Sequence, residues 1–157
     1  MNEEILQKIM TITERFFETA TDPEQIPTKK DSLRKLLALH PGTFQYRIEN
    51  NEPVSWVMVL PTSNALAEKF LQDQLTEREL LDMTEPQPEY DAIYLCAAFT
   101  VKGYRRKGHV LDMLKDALCT IPHAQNVKIF AWPYSDEGEF LIRRLERELE
   151  TTIHVKR

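Results

Sequence analysis

The chain has 157 residues, 42% of them hydrophobic, enough for one well-buried core and too few for two full domains. Its formal charge of -5 argues against a nucleic-acid polymer or an anionic lipid surface as partner, while a local basic site can still take a small phosphorylated ligand. The start, Met1-Asn2-Glu3-Glu4, is acidic where a signal peptide is basic, and no apolar run reaches membrane-spanning length, so a soluble cytoplasmic protein is expected.

A first helix is expected after Asn2, with Ile5, Ile9, Ile12 and Phe16 at helical spacing and Leu6 and Phe17 widening the stripe. Asp22-Pro23 and Pro27-Thr28 punctuate the chain. Thr28 followed by Asp31 resembles a capping arrangement for a second helix carrying Leu33, Leu36 and Leu37, which His40-Pro41-Gly42 ends. Alternation over residues 43–48, turn chemistry at Asn50-Asn51-Glu52-Pro53 and strand formers over residues 54–60 predict a β-hairpin. Trp56 and Met58 should lie on one face and Val57 and Val59 on the other. Pro61-Thr62-Ser63 should stop that strand, with Ser63 or Asn64 capping a helix through Phe70 and Leu71, and Thr76 with Glu79 boxing the start of another through Leu80 and Leu81.

Glu85-Pro86-Gln87-Pro88-Glu89 reads as a stiff acidic loop. Residues 93–100 are apolar enough for a strand buried on both faces. A helix with Leu111, Leu114, Ala117 and Leu118 on one side follows, then a strand over residues 127–132 parallel to its predecessor. Asp136 and Glu137 favour a further helix start, continued by Leu141, Leu145 and Leu149, and residues 151–155 form a last strand. The order is helices, hairpin, helical insertion, then β-α-β-α-β: an α/β sandwich on a mixed sheet. Cys96 and Cys119 are isolated, without C-x-x-C spacing or paired histidines, and read as core thiols in a reducing compartment; no metal site is expected.

The most informative stretch is Tyr104-Arg105-Arg106-Lys107-Gly108-His109, placed between the apolar strand and the helix that follows it. A helix start carries unpaired N–H groups and a partial positive charge, to which Arg105, Arg106 and Lys107 add full charges, and Gly108 keeps a Cβ out of the way. The corner is suited to an anion. It is not a P-loop: Gly103 and Gly108 have the right separation, but His109 and Val110 stand where Lys and Ser/Thr are required. The plainer alternative is a solvated helix start whose cations pair with nearby acids.

The segment over residues 100–110 resembles the cofactor motif of the GNAT superfamily, the acetyl-CoA-dependent N-acetyltransferases: a strand, then Arg or Gln, two residues, Gly, one residue, and Gly or Ala opening a helix. Arg105 and Gly108 fall on that pattern, Val110 stands in place of its last Gly or Ala, and Lys102 replaces a frequent proline. The element order agrees over nearly the whole chain, without a clear strand before the opening helix.

The resemblance implies a single domain over residues 1–157, with a GNAT-like, mixed and mostly antiparallel sheet around a central β-α-β unit flanked by helices. It implies acetyl-CoA as cosubstrate, its pyrophosphate held by the backbone of Arg105, Arg106, Lys107, Gly108, His109 and Val110, and its pantetheine arm along Ala98, Phe99 and Thr100, with Ser135 nearby. Many members carry a tyrosine general acid where this chain reads Phe140-Leu141-Ile142-Arg143, so Tyr134 is nominated as the acid, and Glu89, from the set Glu85, Glu89 and Asp91, as the base. The expected partner is an amine-bearing small molecule or peptide, with neither nucleic acid nor membrane, and a homodimer is an open possibility. A family member that keeps the fold but serves as a CoA-binding or regulatory module is the alternative.

Overall fold

In a computed structural model, the described residues are 3–17, 25–26, 29–133 and 135–157. Helix α1 (Glu3–Phe17) has Glu3 and Glu4 in its first turn and Arg15 in its last, each complementing the helix dipole, and it buries Ile5, Leu6 and Ile9. The expected Asn2 cap lies outside the described residues. Helix α2 (Lys30–Leu39) buries Leu33 and Leu36. Its N-cap position is Lys29, which makes no side-chain cap, and Thr28 lies outside the described residues. His40 closes the helix as expected, its ring Nδ1 accepting the Gly42 N–H at 2.9 Å.

Strands β1 (Phe44–Glu49) and β2 (Glu52–Thr62) form the hairpin. Glu49 pairs with Glu52 across a two-residue turn in which Asn50 and Asn51 have φ of 53° and 62°, the left-handed pair that suits right-twisted strands. Strand β2 runs two residues past its expected end: β1 stops opposite Met58, so Pro61 sits on an open edge that tolerates a missing donor. Ser63 then caps α3 (Asn64–Leu71), and Thr76 and Glu79 exchange both bonds of a capping box at the start of α4 (Glu77–Met83).

After the exposed loop come β3 (Tyr90–Thr100), α5 (His109–Thr120), β4 (His123–Ala131), α6 (Asp136–Leu149) and β5 (Ile153–Val155). The sheet has five strands in the order β1-β2-β3-β4-β5. It is evenly mixed rather than mostly antiparallel: β1/β2 and β2/β3 are antiparallel, β3/β4 and β4/β5 parallel. Helices α5 and α6 each carry the chain back to the starting end before the next strand, which makes the strands parallel.

The two faces of the sheet carry separate cores. Trp56, Met58 and Leu60 join α1 to α4 through Ile9, Leu36, Phe70 and Leu80, whereas Val57 and Val59 join α5 and α6 through Leu114, Leu118 and Leu145. The alternation read from β2 is therefore the partition between them. Cys119 departs from expectation: it is exposed, because the buried stripe of α5 runs through Leu111, Leu114, Ala117 and Leu118 and leaves position 119 outside it.

The departure that matters for function concerns β3. Only Ala92, Ile93 and Tyr94 are buried in its middle; from Leu95 onward the strand is half-buried, and Ala97 is exposed. Its ladder with β4 ends at the pair Leu95–Ala131, while its ladder with β2 continues to Thr100. A bulge marks the change, since β2 pairs Met58 with Ala97 and Val59 with Leu95, leaving Cys96 as the extra residue. Beyond that point β4 has left: Ala131 is followed by Trp132 and Pro133. The Lys156 N–H donates to the Ala131 carbonyl at 2.9 Å, and the Lys156 ammonium lies 4.0 Å from the Trp132 ring centre, holding the end of β4 toward β5.

Candidate active-site cleft

The parting of β3 and β4 opens a cleft of about 640 Å³ through the sheet, within the usual range for small-molecule sites. One wall is the free side of β3, with Ala97, Ala98, Phe99 and Thr100; the other is Ala131, Trp132 and Pro133. A strand side without a partner presents main-chain N–H and C=O groups to whatever fills the gap. Phe99 is fixed by its ring, 4.8 Å from that of Trp56, and by the Ser55 hydroxyl donating to its carbonyl at 2.9 Å; the Ser55 and Thr100 hydroxyls are 3.0 Å apart.

At the mouth lies the basic corner. Gly103, Arg106 and Gly108 have φ of 97°, 68° and 78°. Arg106 and Gly108 are two apart, the spacing at which left-handed residues in a turn direct successive N–H groups toward a shared concavity, the backbone arrangement that receives anions. Gly108 is the N-cap of α5 and supplies no side chain to its first turn. Among the described residues the N–H groups of residues 105–108 donate to nothing, while the Gly108 carbonyl starts the helix by accepting from Asp112. The need for glycine at 108 is conformational: an added Cβ would meet nothing nearer than Asp112 Oδ2 at 3.9 Å, but its φ is one that side chains disfavour.

The expected cofactor residues divide into two groups. Ala98, Phe99, Thr100, Arg105, Arg106, Val110 and Ser135 all line the cleft. Val110, half-buried, packs on the α5/α6 core and borders the cleft from that side. Ser135 caps α6, its Oγ accepting the Gly138 N–H at 3.1 Å. Lys107 and His109 turn to the end of β1 instead: Lys107 Nζ and His109 Nε2 each lie 3.5 Å from a Glu49 carboxylate oxygen, and Lys107 also covers the Tyr104 ring at 5.0 Å. Their side chains brace the corner against β1, and neither residue lines the cleft.

The two nominated proton carriers fare differently. Tyr134 lies outside the described residues. Glu89 is not in the cleft: it stands exposed before the first residue of β3, beside a separate depression that it shares with Glu85 and Asp91. The 11 residues of β3 put the corner roughly 35 Å away. Asp91 is engaged elsewhere, accepting the Asn64 N–H at 2.7 Å. An acidic loop next to the strand in sequence is thus at its far end in space.

The carboxylate deep in the cleft was not singled out from sequence. Glu77, only 4% exposed, lines it; its Oε1 accepts the Ile26 N–H at 2.8 Å and its Oε2 the Tyr94 hydroxyl at 2.5 Å. Cys96, the bulge residue, lines it too, and burial, reinforced by the Glu77 charge, pushes its thiol well above the ordinary value. Thr13, Gln25, Ile26, Trp56 and Met58 also line this end. Nothing in the local sequence marks Glu77, because an acidic residue in the first turn of a helix reads as dipole complement. Among the described residues no cluster of His, Cys, Asp or Glu suits a metal ion, and no helix is long and apolar enough to cross a membrane. No known family model matches the chain, and a search of curated proteins returns no significant match.

Proposed function

We propose that the protein is a GNAT-like N-acetyltransferase that moves an acetyl group from acetyl-CoA to a primary amine of a small molecule or peptide. The carrying observation is the coincidence of two unfilled sets of main-chain groups, the uncapped corner at residues 105–108 and the unpaired side of β3, on one continuous cleft. In this reading the corner takes the diphosphate, with Arg105 and Arg106 adding charge, and the main chain of Ala98 and Thr100, which faces away from β2, pairs with the amides of the pantetheine arm beside Phe99. The cosubstrate supplies an activated acyl carbon; the chain's own groups fix its place and exclude water from the slot between the strands.

Transfer forms a C–N bond, breaks the C–S bond, and moves one proton from the amine to the departing sulfur. The chain must therefore hold the amine within attack distance and offer N–H groups to the developing charge on oxygen. The open side of β3 is the source of such donors. Acetyl-CoA at about 100 times its dissociation constant should stabilise the fold by about 2.7 kcal/mol. Thermal unfolding with acetyl-CoA, CoA and ATP tests the binding, and thiol release over a panel of amines tests the transfer. No response to either CoA species rejects the reading.

Val110 on the cleft wall, where the motif has Gly or Ala, favours one rival: a module that binds CoA without transferring the acetyl group. Stabilisation by CoA with no thiol release across the panel identifies that rival, and one good acceptor eliminates it.

A further inference from the structure

The cleft exists because β4 parts from β3 beyond Ala131, and the chain's last residues meet β4 at that level. Strand β5 also stops there, at the pair Ala131–Val155, and the next residue, Lys156, donates its N–H to the Ala131 carbonyl at 2.9 Å. The Lys156 side chain then turns over the first residue past the ladder: its Nζ lies 4.0 Å from the Trp132 ring centre and 4.9 Å from that of Phe70. The ammonium ends 2.9 Å from Asp73 Oδ1. At 9% exposure the lysine side chain is set into the fold, whereas Asp73 stands 85% exposed, so the carboxylate meets the ammonium from the solvent side. A cation withdrawn from water against aromatic faces is held more firmly than one in an exposed ion pair.

Phe70 and Asp73 both belong to the end of α3, three residues apart. Phe70 is fully buried and meets the Trp132 ring edge-on with centres 6.0 Å apart, and Asp73 has a φ of 62°, a left-handed conformation that aspartate tolerates. One side chain from residue 156 thus ties the end of α3 to the end of β4. Trp132 lines the cleft and Lys156 does not, so the lysine stands behind the wall. Resting on the acetyl-transfer reading, we propose that Lys156 is a positioning residue for the cosubstrate: with Asp73 it clasps Trp132 away from β3 and keeps open the slot that takes the pantetheine arm. The clasp contains no residue of the basic corner. The two halves of the ligand therefore depend on different parts of the chain, the diphosphate on the corner and the arm on the clasp.

The test measures binding without turnover. Acetyl-CoA and ADP, which carries a diphosphate and no pantetheine arm, are titrated by calorimetry into the wild type, Lys156→Met, Lys156→Arg and Asp73→Asn. Methionine keeps a long apolar stem without the cation, whereas arginine keeps the cation, stacks on aromatic faces and pairs with carboxylates. Lys156→Met should weaken acetyl-CoA by about tenfold and ADP by no more than about twofold. Lys156→Arg should restore most of the lost affinity, and Asp73→Asn should lose less than Lys156→Met. Unchanged acetyl-CoA affinity in Lys156→Met, an equal loss for both ligands, or no rescue by arginine overturns the proposal.

A second measurement needs no ligand. The chain has two tryptophans, so protein labelled with 5-fluorotryptophan gives one fluorine signal from Trp56 and one from Trp132. Lys156→Met should shift and broaden the Trp132 signal and leave that of Trp56, buried against Phe99, in place; Lys156→Arg should return the Trp132 signal toward its wild-type position. A Trp132 signal as sharp and in the same place in Lys156→Met as in the wild type overturns the clasp. Should acetyl-CoA bind none of these proteins while the fluorine pattern holds, the acetyl-transfer reading falls and the clasp stands as the device that sets the width of the cleft.

Discussion

Replacing Gly108 by alanine separates the conformation of the corner from its space. The φ of 78° lies in the left-handed region, where a Cβ costs about 1–2 kcal/mol, and alanine's smaller unfolded-state entropy recovers part of that. Sterics add nothing, because the new Cβ would stand 3.9 Å from its nearest neighbour, Asp112 Oδ2. The net expectation is a loss of about 1 kcal/mol, or roughly 2–4 °C in Tm for a chain of this size. Gly108→Asn should lose less, since asparagine tolerates left-handed backbone. Gly42→Ala provides the contrast: its Cβ would lie 2.9 Å from Thr120 Oγ1 and 3.1 Å from His40 Nδ1, so its cost is a clash rather than a dihedral. Urea unfolding gives the stabilities, and calorimetry gives acetyl-CoA affinity on the same samples. Affinity should fall in Gly108→Ala and stay near wild type in Gly42→Ala. A Gly108→Ala protein as stable as wild type refutes the strained corner, and unchanged affinity refutes its role in binding.

Arg105→Ala and Arg106→Ala should each weaken acetyl-CoA by about tenfold, with the wild-type affinity falling as salt is raised; titrations in low and high salt check both. Thr76→Ala removes one half of the α4 capping box and should cost about 1 kcal/mol in urea unfolding. The raised thiol of Cys96 leaves stability unaffected below the ordinary thiol value of about 8.5 and lowers it as pH rises above that value. The sign follows because the unfolded chain then releases a proton that the folded state keeps. Cys96→Ala should flatten that alkaline decline, read from unfolding at pH 7 to 10.

Local chemistry was legible because it is local. The Asn50-Asn51 turn, the Ser63 cap, the Thr76/Glu79 box and the alternation that separates Trp56 and Met58 from Val57 and Val59 each depend on residues within a few positions. The corner was legible for the same reason: Gly108 and its cations follow a strand directly. Burial of residues 95–100 was misread because apolar strand residues look alike whether they meet a core or a ligand cleft. Which of these applies depends on where β4 parts from β3 and on the bulge at Cys96, both properties of strand pairing. Glu77 was invisible on the same grounds, since its burial is created by Ile26 and Tyr94, 51 and 17 residues away in sequence. Glu89 shows the converse error, proximity along the chain taken for proximity in space.

Amide hydrogen exchange with and without acetyl-CoA addresses the corner at the level of its individual N–H groups. Residues 105–108 donate to nothing among the described residues and should exchange rapidly in the unliganded protein. Acetyl-CoA should slow them together with the amides of Ala98 and Thr100, which face away from β2, leaving the exposed loop at residues 85–89 unchanged. Protection elsewhere with none at the corner, or slow exchange there before ligand is added, contradicts the account.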